Sequence, residues 1–419
     1  MTSPTLATAD NAVFPPLASQ LRPMRALWAV VQHGSTVRAA EAIHLSQPSV
    51  ARAVVQLEMA CGVPLFVRAT RGMVPTPICT QLAARIEVLL RQLACGATEA
   101  QDAAAPAEKR PGVAERFPAL VTRAHLCALV GIATCGSEAQ AAAWLGITQP
   151  AVHMSLRDLE AALGIRLFYK LRLGTRLTPA GEALLRRVKL ALAEIHGMET
   201  DIAARRGEIR GRVVVGTLPL SVNIFLPRAV QSLTAAHRDI AVHIVDGTYE
   251  SLVKALLSAD IDVIAGALRP DVPNTEVQHH HLFDDELVIV ARTGHPCFAR
   301  GPVVLEDLLD YDWVKPLPNS PADRALAELF RNQGLELPRN SLHASSTSMT
   351  RAFLVQTERL AMASRGQALL DDHGGHLSIV PLELPSTRRR IGLVTRALSA
   401  PSHDLRLFLD ACHQAVRAL

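Results

Sequence analysis

A self-match at constant spacing constrains this chain more than any other feature. The stretch from Gly34, GSTVRAAEAIHLSQPSVARAVVQLEMACGVPLFVRATRGMVPTP, returns from Gly136 as GSEAQAAAWLGITQPAVHMSLRDLEAALGIRLFYKLRLGTRLTPAG. Gln47 registers with Gln149, Leu57-Glu58 with Leu159-Glu160, Leu65-Phe66 with Leu167-Phe168, and Thr76-Pro77 with Thr178-Pro179. Every pair is 102 positions apart, without a gap. A period held over more than forty residues marks a duplicated structural unit.

Each copy reads as two short helices joined by a tight turn. In copy two, the Ala-rich run 139–145 is a strong helix former, and Gly146 is placed to stop it. Thr148 stands at the N-cap of the next helix and Pro150 in its first turn, where a missing N–H costs little. That helix puts Val152, Leu156, Leu159 and Leu163 on one stripe, as copy one does with Val50, Val54, Leu57 and Cys61. Such spacing buries one face of a helix. The other face carries Ser46, Gln47, Pro48, Ser49, Arg52 and Gln56 in copy one, and Thr148, Gln149, Pro150, Ala151, Met154 and Arg157 in copy two. A second helix with a polar N-terminal face is the geometry of helix-turn-helix DNA binding. Gln pairs bidentately with adenine and Arg with guanine. Basic segments follow, with Arg68 and Arg71 in copy one and Lys170, Arg172 and Arg176 in copy two. They read as wings that lay cations along phosphate, setting register rather than sequence choice.

At these residues the chain resembles the LysR family of transcriptional regulators. Copy two carries Thr148-Gln149-Pro150, Leu159-Glu160, Gly164, Leu167-Phe168, Lys170 and Leu177-Thr178-Pro179-Ala180-Gly181, departing from the family pattern at Met154, where Arg is usual. Copy one keeps Ser46-Gln47-Pro48 and Arg52 but ends Val74-Pro75-Thr76-Pro77-Ile78-Cys79. Most members carry one such unit. The resemblance implies a DNA-binding regulator switched by a small-molecule effector and acting as a homodimer or homotetramer. Copy one is then either a second DNA reader or a vestigial or interaction module.

Charge agrees with a DNA partner. Residues 1–210 hold 23 Lys+Arg and 16 Asp+Glu, while residues 211–419 hold 20 and 23. The net +4 therefore hides a basic N-terminal half and an acidic C-terminal one, the asymmetry a nucleic-acid footprint requires. At 419 residues the chain is too long for a single core. The order read from it is a flexible tail (1–20), a first winged helix-turn-helix (21–96), a linker (97–118) and a second winged helix-turn-helix (119–181). A dimerisation helix (182–206) follows, and then an α/β effector-binding domain (211–419). The 182–206 segment spaces Leu184, Val188, Ala191, Ile195, Met198 and Ile202 as a heptad seam, which predicts pairing with the same helix of a twin chain, the competing reading being that this face packs on its own domain. The Ala/Pro-rich linker is long enough to let copy one sit well away from copy two.

From Gly211 short β-branched runs alternate with helical ones, which predicts a mostly parallel sheet covered on both faces. The resemblance implies two lobes like a periplasmic binding protein, lobe one at 211–292 and 391–419 and lobe two at 293–390. Ligands in such sheets sit beyond strand C-termini, near helix N-termini. The candidates there are Thr217, Leu218 and Ser221, Thr248, Asn319 and Ser320, and Ser346 and Thr347, a hydroxyl-rich set suited to a small carboxylate or sugar. Plain N-capping is the competing explanation for these hydroxyls.

Other readings are weaker. No G-x-S-x-G, P-loop or G-x-G-x-x-G occurs, so no catalytic residue, metal or cofactor is expected and the chain is not expected to be an enzyme. His279-His280-His281 reads as a solvated strand entry, and Arg388-Arg389-Arg390 as a surface approach to the last strand. Seven cysteines without a C-x-x-C pattern suit reduced, buried thiols and a cytoplasmic setting. No run of 18 apolar residues suggests a membrane span.

Overall fold

The computed structural model describes residues 14–69, 72–105, 112–171, 174–218, 222–269, 274–299, 301–338, 341–372, 375–384 and 387–417. The chain divides into two compact units. The first comprises residues up to Gly211 with Leu257–Asp260 and Leu398–Asp404, and the second holds the remainder.

In the first unit, a 3-10 turn (Pro16–Gln20) leads into α1 (Leu21–His33), α2 (Thr36–Ala42) and α3 (Gln47–Cys61), then a hairpin of β1 (Phe66–Ala69) and β2 (Gly72–Pro75), and the long α4 (Pro77–Ala103). Copy two repeats this as α5 (Val113–Leu120), α6 (Arg123–Cys135), α7 (Glu138–Leu145), α8 (Gln149–Leu163), β3 (Phe168–Leu171), β4 (Gly174–Leu177) and α9 (Pro179–Arg205). The expected stripes are the buried ones: Val50, Val54, Leu57 and Cys61 in α3, and Val152, Leu156, Leu159 and Leu163 in α8. Gly146 closes α7 in a left-handed conformation. Thr148 occupies the cap position of α8 without bonding the helix through its side chain, whereas Ser46 does accept from Ser49 N–H in copy one.

Two expectations about spacing are corrected. Within the stretch 97–118 expected to be a linker, the described residues 97–103 and 113–118 are helical. Its first residues continue α4 to Ala103, since alanine favours helix, and α5 begins at Val113. The separation the linker would allow is not used, because α4 and α9 pack along their lengths. The seam residues Leu184, Val188, Ala191, Ile195, Met198 and Ile202 are all buried, as are Leu82, Ile86, Leu89 and Leu93 of α4. The partner of α9 is thus the matching helix of its own chain. Gly96 permits the close approach: a Cβ there would lie 2.8 Å from Arg187 Cβ.

Glu99 of α4 faces Arg186 (3.0 Å) and Arg187 of α9. Burial pushes its carboxyl up, but the two guanidiniums outweigh that and hold it below the ordinary range. A carboxyl held low stabilises the fold above its unfolded pKa of about 4.3, and the contribution is lost as pH falls through the lower folded value. In urea titrations the stability gap between wild type and Glu99→Gln should narrow as pH falls below about 4. A gap that stays constant would remove this ion pair from the seam.

Gly181 shows why the wing-to-helix junction of copy two ends in glycine. A Cβ there would stand 2.2 Å from the carbonyl oxygen of Leu167, the oxygen that accepts from Thr178 N–H at 2.9 Å. The obstacle is backbone and cannot swing aside. Gly181→Ala is expected to cost about 1–3 kcal/mol, the usual range for overpacking. The equivalent position in copy one is Cys79, which carries a Cβ and is fully buried beside the matching Thr76 N–H to Leu65 O bond at 2.9 Å, so Cys79→Ala, which keeps that Cβ, is the comparison in thermal melts.

The second unit contains β5 (Arg210–Thr217), α10 (Val222–Ala236), β6 (Asp239–Asp246), α11 (Tyr249–Leu257), β7 (Val263–Ala267), β8 (Val277–Arg292), β9 (Trp313–Lys315), α12 (Pro321–Asn332), β10 (Ser341–His343), α13 (Thr347–Gln356), β11 (Leu360–Ser364), α14 (Arg365–Asp372), β12 (Leu377–Ile379), β13 (Arg388–Arg396) and α15 (His403–Arg417). Strands follow the order β10-β9-β11-β8-β13-β7-β5-β6, with β12 also on β8. The sheet is mixed rather than mostly parallel. β5 and β7 are parallel, as are β9 with β10 and with β11, but β8 and β13 run antiparallel to each other and to their other partners. The long β8 belongs to both lobes: Val277–Glu286 pair with β13, while Leu287–Arg292 pair with β11 or β12. The lobe boundary therefore falls near Glu286 rather than after Arg292.

Candidate nucleic-acid interface and effector segments

The helix phase that buries the α3 and α8 stripes turns the opposite edges outward. Ser46, Gln47, Pro48 and Arg52 are exposed and Ser49 partly so; Thr148, Gln149, Pro150, Ala151 and Arg157 are exposed. Several of these side chains lean on their own head. Gln47 Nε2 donates to Thr36 Oγ1 (3.4 Å) and Arg52 Nε to Pro48 O (3.3 Å). These exposed contacts are easily exchanged. In copy two, Arg176 on β4 is exposed beside Tyr169 of β3. Arg71 and Arg172 lie outside the described residues.

The effector candidates come together in two pairs, one per lobe. In lobe one, Thr217 ends β5 and its hydroxyl donates to Asp246 at the end of β6. Gly247 N–H returns a bond to Thr217 O at 3.3 Å, and Thr248 caps α11 by accepting from Ser251 N–H at 3.3 Å. Leu218 is buried against Gly266, and Ser221 lies outside the described residues. In lobe two, Ser320 caps α12 and Ser346 caps α13. Asn319 holds φ at +65°, and Thr347 opens α13. His343 Nδ1 lies 2.7 Å from Pro316 O, which sets the ends of β9 and β10 side by side. Thr248, Ser320 and Ser346 are thus engaged as helix caps, as capping alone requires.

Models of two families match the chain. The bacterial regulatory helix-turn-helix protein of the LysR family matches twice, at residues 21–80 and 124–182. The LysR substrate binding domain matches residues 206–417. This chain belongs to the LysR family. It is a DNA-binding transcriptional regulator of that type, with an effector-binding unit behind two helix-turn-helix heads. The HTH-type transcriptional regulator GalR of Pseudomonas putida is 31% identical over 378 residues, covering 90% of this chain and 92% of GalR. PcaQ of Agrobacterium fabrum is 28% identical over 296 residues, covering 70% of this chain and 95% of PcaQ. The latter length is about that of 124–417, one head and the α/β unit, whereas the GalR match must reach into the first head. Among solved structures, a full-length OxyR variant from Pseudomonas aeruginosa covers 69% of this chain and 97% of its own, with a TM-score of 0.52 and 20% identity. The LysR-family regulator CbnR covers 70% and 98%, with a TM-score of 0.50 and 19% identity. At these identities the structures show the fold alone.

Several residues of this LysR-family chain escaped the sequence reading. Arg85 of α4 is buried, with Nε 2.7 Å from Asp201 and Nη1 3.3 Å from Glu194 of α9. The signal was available, because Arg85 sits one repeat before Arg187. Lys315, at the end of β9, is 8% exposed and donates to Pro338 O at 2.7 Å. Burial pushes its ammonium down, partly opposed by Asp323. His279–His281 lie within β8 rather than at its entry, opposite Val394, Leu393 and Gly392 of β13. Arg389 is not at the surface: it pairs with Asp285 at 3.0 Å and both are largely buried. Four of the thiols are buried as packing groups, and burial pushes Cys61 and Cys127 up to about 11 and Cys79 and Cys412 up to about 12. Among the described residues no single helix is long and apolar enough to cross a membrane.

Proposed function

We propose that both heads read DNA through the N-terminal edges of α3 and α8. Copy two places Gln149, Ala151 and Arg157 toward bases, and copy one does so with Gln47, Ser49 and Arg52. Arg176, Arg172 and Arg71 serve phosphate. The observation that carries this is the matched exposure of both edges, in a unit whose opposite helix faces are fully buried. A buried edge could not enter a groove. If Gln149 makes a bidentate contact, Gln149→Ala should lose about 1–3 kcal/mol of base discrimination, read as relaxed preference in binding selections on random duplexes. Unchanged preference would remove Gln149 from the readers.

The effector is a small carboxylate or sugar held between the segments after β5 and β6 and those after β9 and β10. Its binding shifts the lobes and so the DNA heads. The chain acts in the cytoplasm as a regulator, not as an enzyme, and any homodimer or homotetramer forms through surfaces other than the α4–α9 seam. Thermal shift of the full chain with carboxylates and sugars tests the effector class, since a ligand that prefers the folded state raises its melting point. Stabilisation by neither class would reject it.

A further inference from the structure

The seam between α4 and α9 repeats itself when the two helices are exchanged. Arg85 of α4 binds Glu194 and Asp201 of α9. Moved by the repeat spacing, these become Arg187 with Gln92 and Arg187 with Glu99, and Arg187 makes both contacts, at 2.8 Å to Gln92 Oε1. At the helix ends the same elements meet, though not through matched residues. Gln101 of α4 donates to Leu163 O at the end of α8, while Arg206, just past α9, approaches Gly62 at the end of α3, where a Cβ would stand 3.3 Å from its Nη1. The rising numbers of one helix meet falling numbers of the other, so the pair is antiparallel. Contacts that map onto themselves on exchange define a two-fold, isologous interface, which ordinarily joins two chains. Here one chain supplies both sides, and the buried residues of both copies form one continuous core.

The reading edges differ where the seam agrees. Gln47 and Pro48 match Gln149 and Pro150, but Arg52 stands where copy two has Met154, Ser49 where it has Ala151, Val55 where it has Arg157, and Gln56 where it has Asp158. An arginine reads guanine and an aspartate accepts from cytosine, whereas methionine offers neither contact. Two heads related by a two-fold axis address two half-sites. Unlike heads address unlike half-sites.

We propose that one chain is its own dimer at DNA, the α4–α9 seam fixing two non-identical heads so that a single polypeptide reads an operator with two unlike half-sites in one orientation. This rests on the DNA-reading function proposed above and adds which heads share an operator. The test begins with random duplexes enriched by the full chain, followed by footprints of the wild type and two variants. Gln47→Ala/Arg52→Ala should erase protection of one half-site only, and Gln149→Ala/Arg157→Ala the other half only, each with at least about a ten-fold loss of affinity. The substituted side chains are exposed, so circular dichroism should match wild type. Co-expressing the two variants should not restore wild-type binding, because no chain then holds two working heads. A palindromic site whose halves both depend on Gln149 and Arg157 would overturn the proposal, with copy one no reader. Restoration by co-expression would overturn it in favour of heads shared between chains. Failure of the wild type to enrich any duplex would overturn the DNA-reading function itself, a result separate from the other two.

Discussion

Arg85→Ala is expected to lower the stability of the first unit by about 3–5 kcal/mol, the cost of breaking a buried ion pair from one side. Arg85 is 4% exposed, and Glu194 and Asp201 are 2% and 4% exposed. The guanidinium bonds Asp201 at 2.7 Å and Glu194 at 3.3 Å, and its two terminal nitrogens donate to the carbonyls of Ala400 and Pro401 at 3.0 Å each. Removing it strips two buried carboxylates of the cation between them. Roughly 2–4 °C of melting temperature per kcal/mol, the scale for a unit of this size, turns the cost into a fall of about 6–20 °C. The counterpart Arg187→Ala should cost less, because Glu99 keeps about a third of its side chain in solvent, where screening weakens a pair. Equal falls for the two variants would mean that burial does not set the difference between the pairs, and no fall for Arg85→Ala would mean that the seam is held by apolar packing alone.

Much of the first unit was legible because its signals are local and doubled. Helix phase alone turned Gln149 outward and Val152 inward, and the structure agrees at every stripe position. The heptad spacing of α9 was equally legible as a face needing a partner, but periodicity does not name the partner. Since α4 carries the same spacing on Leu82, Ile86, Leu89 and Leu93, the chain could satisfy the seam itself. Prolines at 106, 111 and 118 drew attention to a linker, yet α4 runs on through alanines to Ala103.

The second unit hid two elements. The first half of β8, Val277 to Glu286, reads as polar because of its histidines and aspartates. Its charges are met across the ladder, Arg388 with Asp284 at 2.9 Å and Arg389 with Asp285 at 3.0 Å, and such opposite pairs stabilise a strand that composition alone disfavours. The short α14 contains Gly366, a poor helix former. A Cβ there would lie 2.4 Å from Ile224 Cδ1, so the glycine lets α14 pack closely on α10 without moving that side chain. Effector residues were the least legible, because a hydroxyl before a helix reads the same whether it caps or binds.

The largest effect expected of the intact protein is on its DNA affinity as salt rises. A basic N-terminal half that contacts phosphate must release counterions on binding, and each contact adds about 0.9 to the slope of log affinity against log salt. With roughly six to ten contacts shared by two heads, affinity should fall about 10³- to 10⁵-fold between about 50 and 200 mM salt. Arg176→Ala, removing one wing cation, should lower the slope by about 1 while leaving sequence preference unchanged. The decisive measurement is this titration on an enriched duplex with the full chain. A steep linear decline, shallower by one contact in Arg176→Ala, is the expected outcome, and an affinity indifferent to salt would be incompatible with heads that grip the phosphate backbone.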